Sequence, residues 1–472
     1  MIATTVGEIA ALTGGRLDGV SADVVVDGPI VVDSRRCVPG SAFVCVAGQH
    51  DDGHRFAADA RRRGAAVALA QERVDAPAIV VDDTVAALGR LAAGVLRRAH
   101  NCRVVGVTGS SGKTSTKDLI AAVLSPQAAT VAAAGSFNNE IGLPLTVLGI
   151  EANTRFLVLE YSARGPGHIA YLCGVARPDV AVVLNVGTAH LGEFGSREAV
   201  AAAKGELVEA VAPDGVAVLG VDDSMVSRMR SRTTASVLGF GVSEDADVRI
   251  ADLTLTSDAR PAFRLETAAG SIDVRLQISG AHQALNAAAA AAAAIALDVP
   301  LGEISARLAA VSEVSAHRMQ VRRRADGLVV VDDAYNANPE SMVAALDALA
   351  AVARERSGRS WAVLGEMREL GADSEELHRV VGRHAAALGI DRVVTVGADS
   401  AAIGVGAASD PDWTGALDEV ADADAAIVLL RSAIAASDVV LVKASNALAL
   451  WRVATAVLAT EERGHSNVGV PA

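Results

Sequence analysis

From residue 103 onward, short β-branched runs alternate with alanine-rich helical stretches, and that alternation admits little besides open parallel α/β sheets. The runs fall at 104–107, 156–159, 180–184, 328–331, 362–364, 393–396 and 439–442. They are apolar on consecutive positions, as strands covered on both faces must be. Each ends in residues of another kind, and in open parallel sheets ligands bind beyond the carboxyl ends of the strands. Those places hold the segment from Gly109 to Thr114, then Glu160, Asn185, Asp332 with Asp333, Gly365 with Glu366, and Lys443. Two such sheets are expected. The alanine run 287–294 reads as a tightly packed helix, because alanine is the best helix former and 280–286 supplies a polar lead-in. At 472 residues the chain has room for roughly three domains of ~150 residues. A helical pattern that ends near Arg98 and a fresh βα series after Arg318 divide it into 1–102, 103–316 and 317–463, with a flexible tail at 464–472.

The first of these runs leads into Thr108, Gly109, Ser110, Ser111, Gly112, Lys113, Thr114 and Ser115. Gly109 and Gly112 let backbone N–H groups close around phosphate oxygens at a helix N-terminus. Lys113 adds a mobile ammonium, and the Thr114 hydroxyl is a ligand for Mg²⁺. The strict phosphate-loop pattern wants a glycine at the place of Val107. Nucleotide binding is expected over a merely structural turn, but kinases, switches and ligases share such loops, so the loop alone does not name a reaction.

Of 42 basic residues only four are lysines, at 113, 117, 204 and 443. In a chain that uses arginine for general surface charge, a lysine marks chemistry a guanidinium does not perform. Lys117 is expected on an exposed helix face, without a role. Lys204 lies in a helix over 196–211, in register with Val200, Leu207, Val208 and Val211 on the apolar stripe. Two readings stay open there. Burial would lower its pKa and leave a neutral amine able to take up CO₂ as a metal-bridging carbamate, or the side chain snorkels to solvent. Glu160, at a strand end facing Thr114, and His190, after Asn185, suit Mg²⁺ beside phosphates, with the imidazole the less usual ligand. The plain alternatives are a strand-end cap for Glu160 and a structural imidazole for His190.

A net charge of −14 argues against a nucleic-acid or anionic-membrane surface, while leaving room for a basic pocket that takes an anionic small molecule. No apolar run reaches the ~20 residues of a membrane span, so a cytoplasmic protein without membrane insertion is expected. Cys37, Cys45, Cys102 and Cys173 are too scattered for a disulfide framework or a zinc site and read as buried thiols.

These residues together resemble the Mur ligase family, which builds the peptide of bacterial cell-wall precursors. The resemblance rests on the segment 108–114, Glu160, Asn185 with His190, Lys204 before Gly205 and Glu206, His282 with Asn286, and Arg318. It extends to the blocks 136–145, 189–195, 333–339 and 364–371, and to Asp33, Ser34, Arg35, Pro39, Gly40, Phe43, Gly48, Asp52, Gly53 and His54 near the start. It implies a fold of three parts: a uridine-nucleotide-binding α/β domain, a central phosphate-loop ATPase domain, and a Rossmann-like doubly wound domain.

The implied activity is ATP-dependent addition of D-alanyl-D-alanine to UDP-N-acetylmuramoyl-tripeptide through an acyl phosphate, by a monomer. Lys113 and the loop amides would hold ATP phosphates, Thr114 and Glu160 one Mg²⁺, and His190 with carbamylated Lys204 a second. Asn286, Arg318, Asp333, Tyr335 and Asn336 would hold the nucleotide from the far side. Ser34, Arg35, Gly48, Asn138, Asn139, Ser162 and Arg164 would face the muramyl substrate, and Lys443 with Ser445 the dipeptide. Lys113, Lys204, His190 and Arg318 are the implied catalytic set.

Three positions depart from the family pattern: Gln283 in place of Asn, Tyr161 with Ser162 in place of a glycine-containing run, and Asn446 where Arg is common. The last removes a bidentate cation for the dipeptide carboxylate. The competing readings are a ligase adding a single amino acid to a muramyl peptide or glutamate to folate, and a phosphate-loop kinase or switch. The single-amino-acid and folate types lack, respectively, the block 335–338 and the uridine module. A kinase leaves the Lys204 helix and the third domain without a purpose.

Overall fold

The computed structural model describes residues 1–48, 51–188, 191–313, 315–354 and 356–459. Among them, the central sheet has nine strands, with the phosphate-loop strand Arg103–Thr108 flanked by Phe156–Glu160 and Val180–Val183. Thr130–Ala132 closes one edge, and Val216–Gly220, Ser236–Gly241 and Val248–Leu255 continue the parallel order on the other side. Beyond them the sheet turns antiparallel through Pro261–Thr267 and Gly270–Arg275, an extension the βα rhythm does not announce. Its outer strands alternate buried and exposed side chains, whereas the inner ones are buried throughout.

The alanine run forms the middle of the helix His282–Ile295, fully buried against the phosphate-loop helix Lys113–Leu124 and the central sheet. Small side chains let the two helices and the sheet approach closely, so the run is packing rather than linker.

The C-terminal sheet runs Gln320–Arg323, Val329–Asp332, Val439–Lys443, Ser360–Gly365, Arg392–Val396, Ala416–Val420, parallel except for its first strand. Helices cover both faces, with separate apolar clusters on either side. The N-terminal sheet is smaller, with Ile30–Val31, Ala42–Val44, Val67–Ala70 and Ala78–Val80 parallel and Arg16–Asp18 antiparallel at the edge. The helix Thr84–Arg98 packs Leu88, Leu91 and Val95 into one cluster with Leu143, Leu157 and Leu172. The chain therefore passes from the first unit to the second near residue 102 without a break in the apolar core. The tail expected at 464–472 lies outside the described residues.

Candidate active site

The site begins with a helix that lacks a side-chain cap. Lys113–Leu124 starts at Gly112, whose φ of +81° suits glycine, and a Cβ there would sit 2.5 Å from the Asn286 Oδ1. Asn286 is thus the wall behind the loop: it accepts from the Thr116 hydroxyl at 3.2 Å and donates to Gln283 at 2.9 Å. Gln283 serves that bond at its departed position. The loop amides of Ser110 and Ser111 donate to the Asn185 Oδ1 at 3.0 and 2.9 Å, which ties the loop to the end of the neighbouring strand. Thr108 points away: its hydroxyl donates to the Tyr161 carbonyl at 2.8 Å, so it serves the sheet, not the cleft. The Tyr161 ring fits because it packs where Gly106 has no side chain.

In front of the loop is a cavity of about 470 Å³ shared by the central and C-terminal units. Glu160, 1% exposed, accepts from the Thr114 hydroxyl at 2.9 Å with one oxygen and from Asn138 at 2.7 Å with the other. Arg318 reaches over from the C-terminal side, donating to Thr114 at 3.2 Å and Ser136 at 3.3 Å while its guanidinium lies 4.2 Å from the Tyr335 ring centroid. The Lys113 ammonium donates to the Gly109 carbonyl at 2.7 Å, and burial with the nearby Arg318 pulls its pKa down while Glu160 opposes them. Two cations face one carboxylate, which suits a polyanionic ligand.

Lys204 does not snorkel. It is 6% exposed in the helix Arg197–Ala210, and its ammonium has no hydrogen bond or ion pair among the described residues. Burial, then the neighbouring charge of Lys113, pushes its pKa well below the ordinary lysine range. Gly205 beside it makes room for the Arg232 guanidinium, which donates to the carbonyls of Ala201 and Ala202. Glu206 caps the helix His168–Val175 region through Gly167 and Ala170, so its carboxylate is structural. His190 lies outside the described residues. Among those described, no three His, Cys, Asp or Glu side chains converge on a metal position. The donors present are one carboxylate and one hydroxyl, which fits Mg²⁺, a hard ion that takes few protein ligands and completes its shell with phosphate and water.

Two lysines differ from expectation. Lys117 is not on an exposed face: it is 1% exposed and donates to the carbonyls of Ala133 and Gly135. It lies on the side of the helix that packs on the sheet, and its amine reaches carbonyls at a strand end, which a helical wheel without tertiary context does not reveal. Lys443 lines the main cavity, but its ammonium is committed to Asp333 at 2.5 Å and the Asn336 carbonyl at 2.9 Å. Asp333 in turn accepts from the Met319 amide at 3.0 Å, so this pair anchors the segment that carries Arg318.

Ser445 opens on a smaller adjoining cavity with Lys113, Arg368 and Asn446. Ser162, Arg164 and Asn139 line the main cavity on the other side, the Asn139 carboxamide also capping the helix Gly142–Val147. Ser34, Arg35 and Gly48 stay outside both cavities: Ser34 donates to Asp59, and Arg35 pairs with Asp33.

Sequence reasoning missed three contributors. Asn338 donates to the Ser110 carbonyl at 3.3 Å, and Glu340 accepts from the amide and hydroxyl of Thr188, so the N-terminus of the helix Pro339–Arg354 docks on the phosphate loop. Ser136 joins Thr114 to Arg318. Asn338 and Ser136 belong to blocks that stood out in the sequence and Glu340 directly follows one, but polar residues there show no partner until the fold supplies one.

The chain matches the Mur ligase middle domain over residues 107–294, the Mur ligase glutamate ligase domain over 317–446, and the Mur ligase family catalytic domain over 29–95. It is 44% identical to the UDP-N-acetylmuramoyl-tripeptide–D-alanyl-D-alanine ligase of Mycobacterium tuberculosis, covering 98% of this chain and 99% of that one. The ligase of the same name from Escherichia coli is 37% identical over 98% of this chain and 100% of its own length. Among solved structures, MurF from Acinetobacter baumannii superposes with a TM-score of 0.86 at 32% identity, over 97% of this chain and 99% of that one. MurF ligase from Thermotoga maritima in complex with ADP gives 0.79 at 31% identity, over 92% and 97%.

Proposed function

This chain belongs to the Mur ligase family, and on that premise we propose that it joins D-alanyl-D-alanine to UDP-N-acetylmuramoyl-tripeptide at the expense of ATP, forming the pentapeptide precursor of peptidoglycan. What carries the reading is that ligases named for this one activity share the whole chain, not the ATP-binding part alone.

A free carboxylate does not form an amide usefully. The terminal carboxylate of the tripeptide therefore takes the γ-phosphoryl group of ATP, ADP leaves, and the amine of the dipeptide displaces phosphate from the acyl carbon as it gives up a proton. Positioning and charge neutralisation do most of the work. Lys113 and the loop amides hold the ATP phosphates; Arg318, stacked on Tyr335 and reaching Thr114, neutralises charge on the transferred group. Thr114 and Glu160 would hold Mg²⁺, which when bound screens the phosphate oxygens. His190 and Lys204 in its carbamate form would hold a second Mg²⁺; support for the carbamate is a buried amine with depressed pKa and no partner among the described residues.

Asn138, Asn139, Ser162 and Arg164 face the muramyl peptide, and Ser34, Arg35 and Gly48 bind its uridine end in the domain we assign to 1–102. Asn286, Asp333, Tyr335 and Asn336 shape the nucleotide side, Asn286 and Asp333 through the backing contacts described above. Ser445 and Arg368, which meet across the smaller cavity, receive the dipeptide, and Lys443 acts there only through the Asn336 carbonyl. Closure of the 317–463 domain on the 103–316 domain keeps water from the acyl phosphate. We place the enzyme in the cytoplasm, with the ATP that it consumes, as a monomer; no described helix is long and apolar enough to cross a membrane.

The test is ADP release with UDP-N-acetylmuramoyl-tripeptide, offering D-alanyl-D-alanine, single amino acids, or folate with glutamate. Release is expected with the dipeptide; release with a single amino acid alone would sink the assignment.

A further inference from the structure

We propose that Lys117, buried, and Asp118, part-buried, form a positioning pair that sets, from behind, the register of Thr114, Ser136 and Arg318 in the cleft. The inference rests on the ligase reading above and extends it to two residues outside the cavity.

Three chain segments meet at the front of the site. Thr114 belongs to the phosphate-loop helix, Ser136 to the segment after the strand Thr130–Ala132, and Arg318 to the connection between the central and C-terminal units. Their contacts are a triangle: Thr114 to Ser136 at 3.1 Å, Arg318 to Thr114 at 3.2 Å, Arg318 to Ser136 at 3.3 Å.

One turn further along the helix the same three segments are joined again. The Lys117 ammonium donates to the Ala133 carbonyl at 2.5 Å and the Gly135 carbonyl at 3.0 Å, the latter one residue before Ser136, and pairs with Asp118 at 2.7 Å. The other Asp118 oxygen accepts from the Ser315 amide at 2.8 Å and its hydroxyl at 2.7 Å, three residues before Arg318. Neither Lys117 nor Asp118 lines the cavity, so they act through their neighbours.

One feature shows that the segment carrying Arg318 needs holding: the two residues flanking it are non-glycine residues in the left-handed region, His317 at +59° and Met319 at +50°. Such backbone persists only where its surroundings over-determine it. Asp118 does so at Ser315, Asp332 at His317 and Asp333 at Met319. The ammonium also explains why a lysine stands here in an arginine-rich chain. It has three donors and three oxygens within 3.0 Å, a set that a compact ammonium takes more readily than a flat guanidinium fork built for bidentate partners.

The experiment uses the full-length chain with Lys117→Met, Asp118→Asn, Ser315→Ala and the double variant Lys117→Met/Asp118→Asn. With ATP, tripeptide and dipeptide, each single variant is expected to lose about tenfold or more in kcat with KM for ATP within about threefold, because displaced groups cost rate more than binding. The double variant should fall no further than the worse single, since the pair acts as a unit. Amide hydrogen exchange at 133–139 and 315–319 should rise without substrate present, while the C-terminal strands keep their protection. Wild-type turnover in the same assay checks the ligase reading separately, and the exchange measurement decides the proposal even if that reading fails. Folded variants with wild-type kcat, additive losses, or unchanged exchange would overturn it. Should Lys117→Met not fold, Asp118→Asn and Ser315→Ala carry the same test.

Discussion

Burial turns Lys204 from an ordinary cation into a group the fold disfavours in its charged form. Between its depressed folded-state pKa and the ordinary lysine value, the unfolded chain carries a proton that the native chain does not, so stability rises with pH across that window. Lys204→Met is therefore expected to raise the melting temperature in CO₂-free buffer near pH ~7, with a gain that shrinks toward pH ~10. A gain that stays constant with pH would show that the amine is not the cause. Activity should go the other way: Lys204→Ala is expected to lose turnover that short carboxylic acids partly restore, and full activity without rescue removes the carbamate. Arg318 is the second decisive side chain. Arg318→Ala should cost roughly 100-fold in kcat, the scale of losing one donor to a developing charge, with an unchanged melting temperature; a loss in KM alone would assign it to binding. The thiols are inert by contrast. Burial pushes Cys45 and Cys173 up to about 12 and Cys102 to about 11. Alkylation of the native chain at mildly basic pH should be slow at all three, as thiolate is the reactive form.

At the scale of elements, the phosphate-loop helix is the hub. Its first turn lines the main cavity, Thr116 meets Asn286, and Lys117 with Asp118 hold two further segments. The helix begins at a left-handed Gly112 packed against Asn286, so Gly112→Ala forces both φ and the wall behind the loop. The expected result is ADP binding at least about tenfold weaker by calorimetry, while global stability falls only by the roughly 1 kcal/mol or somewhat more that alanine costs at positive φ. Equal losses in both would mean the glycine is merely structural. Seven inner strands of the two parallel sheets were legible from period and composition, because strands covered on both faces leave continuous apolar runs, whereas Val216–Gly220, Ser236–Gly241 and Ala416–Val420 were not read. The antiparallel extension, which begins where Val248–Leu255 pairs with Pro261–Thr267, was not legible either. It is half exposed, its pattern is interrupted by a register shift between Ala251 and Thr254, and its partners are set by the edge it joins.

At the scale of the whole molecule, some of the described contacts between the C-terminal unit and the central one are backbone against backbone. The Gly192 amide donates to the Glu369 carbonyl at 3.2 Å, and a Cβ on Gly371, at φ of +67°, would lie 2.6 Å from the Gly192 Cα. Gly371→Ala should loosen this contact, seen as a larger radius of gyration by solution scattering and a lower kcat; unchanged dimensions would show that the contact does not hold the units together. The sequence by itself determined the loop from Gly109 to Thr114 and Glu160 at the strand ends, and a lysine on the apolar stripe of a helix, since each follows from local pattern and residue type. Only the tertiary structure decided where Arg318 reaches, that Lys443 is spent on Asp333, and that Lys117 is buried. The physical reason is that a polar side chain is satisfied by whatever acceptor the fold brings within hydrogen-bond distance, and residues some two hundred positions apart, as Thr114 and Arg318 are, have no shared local signature.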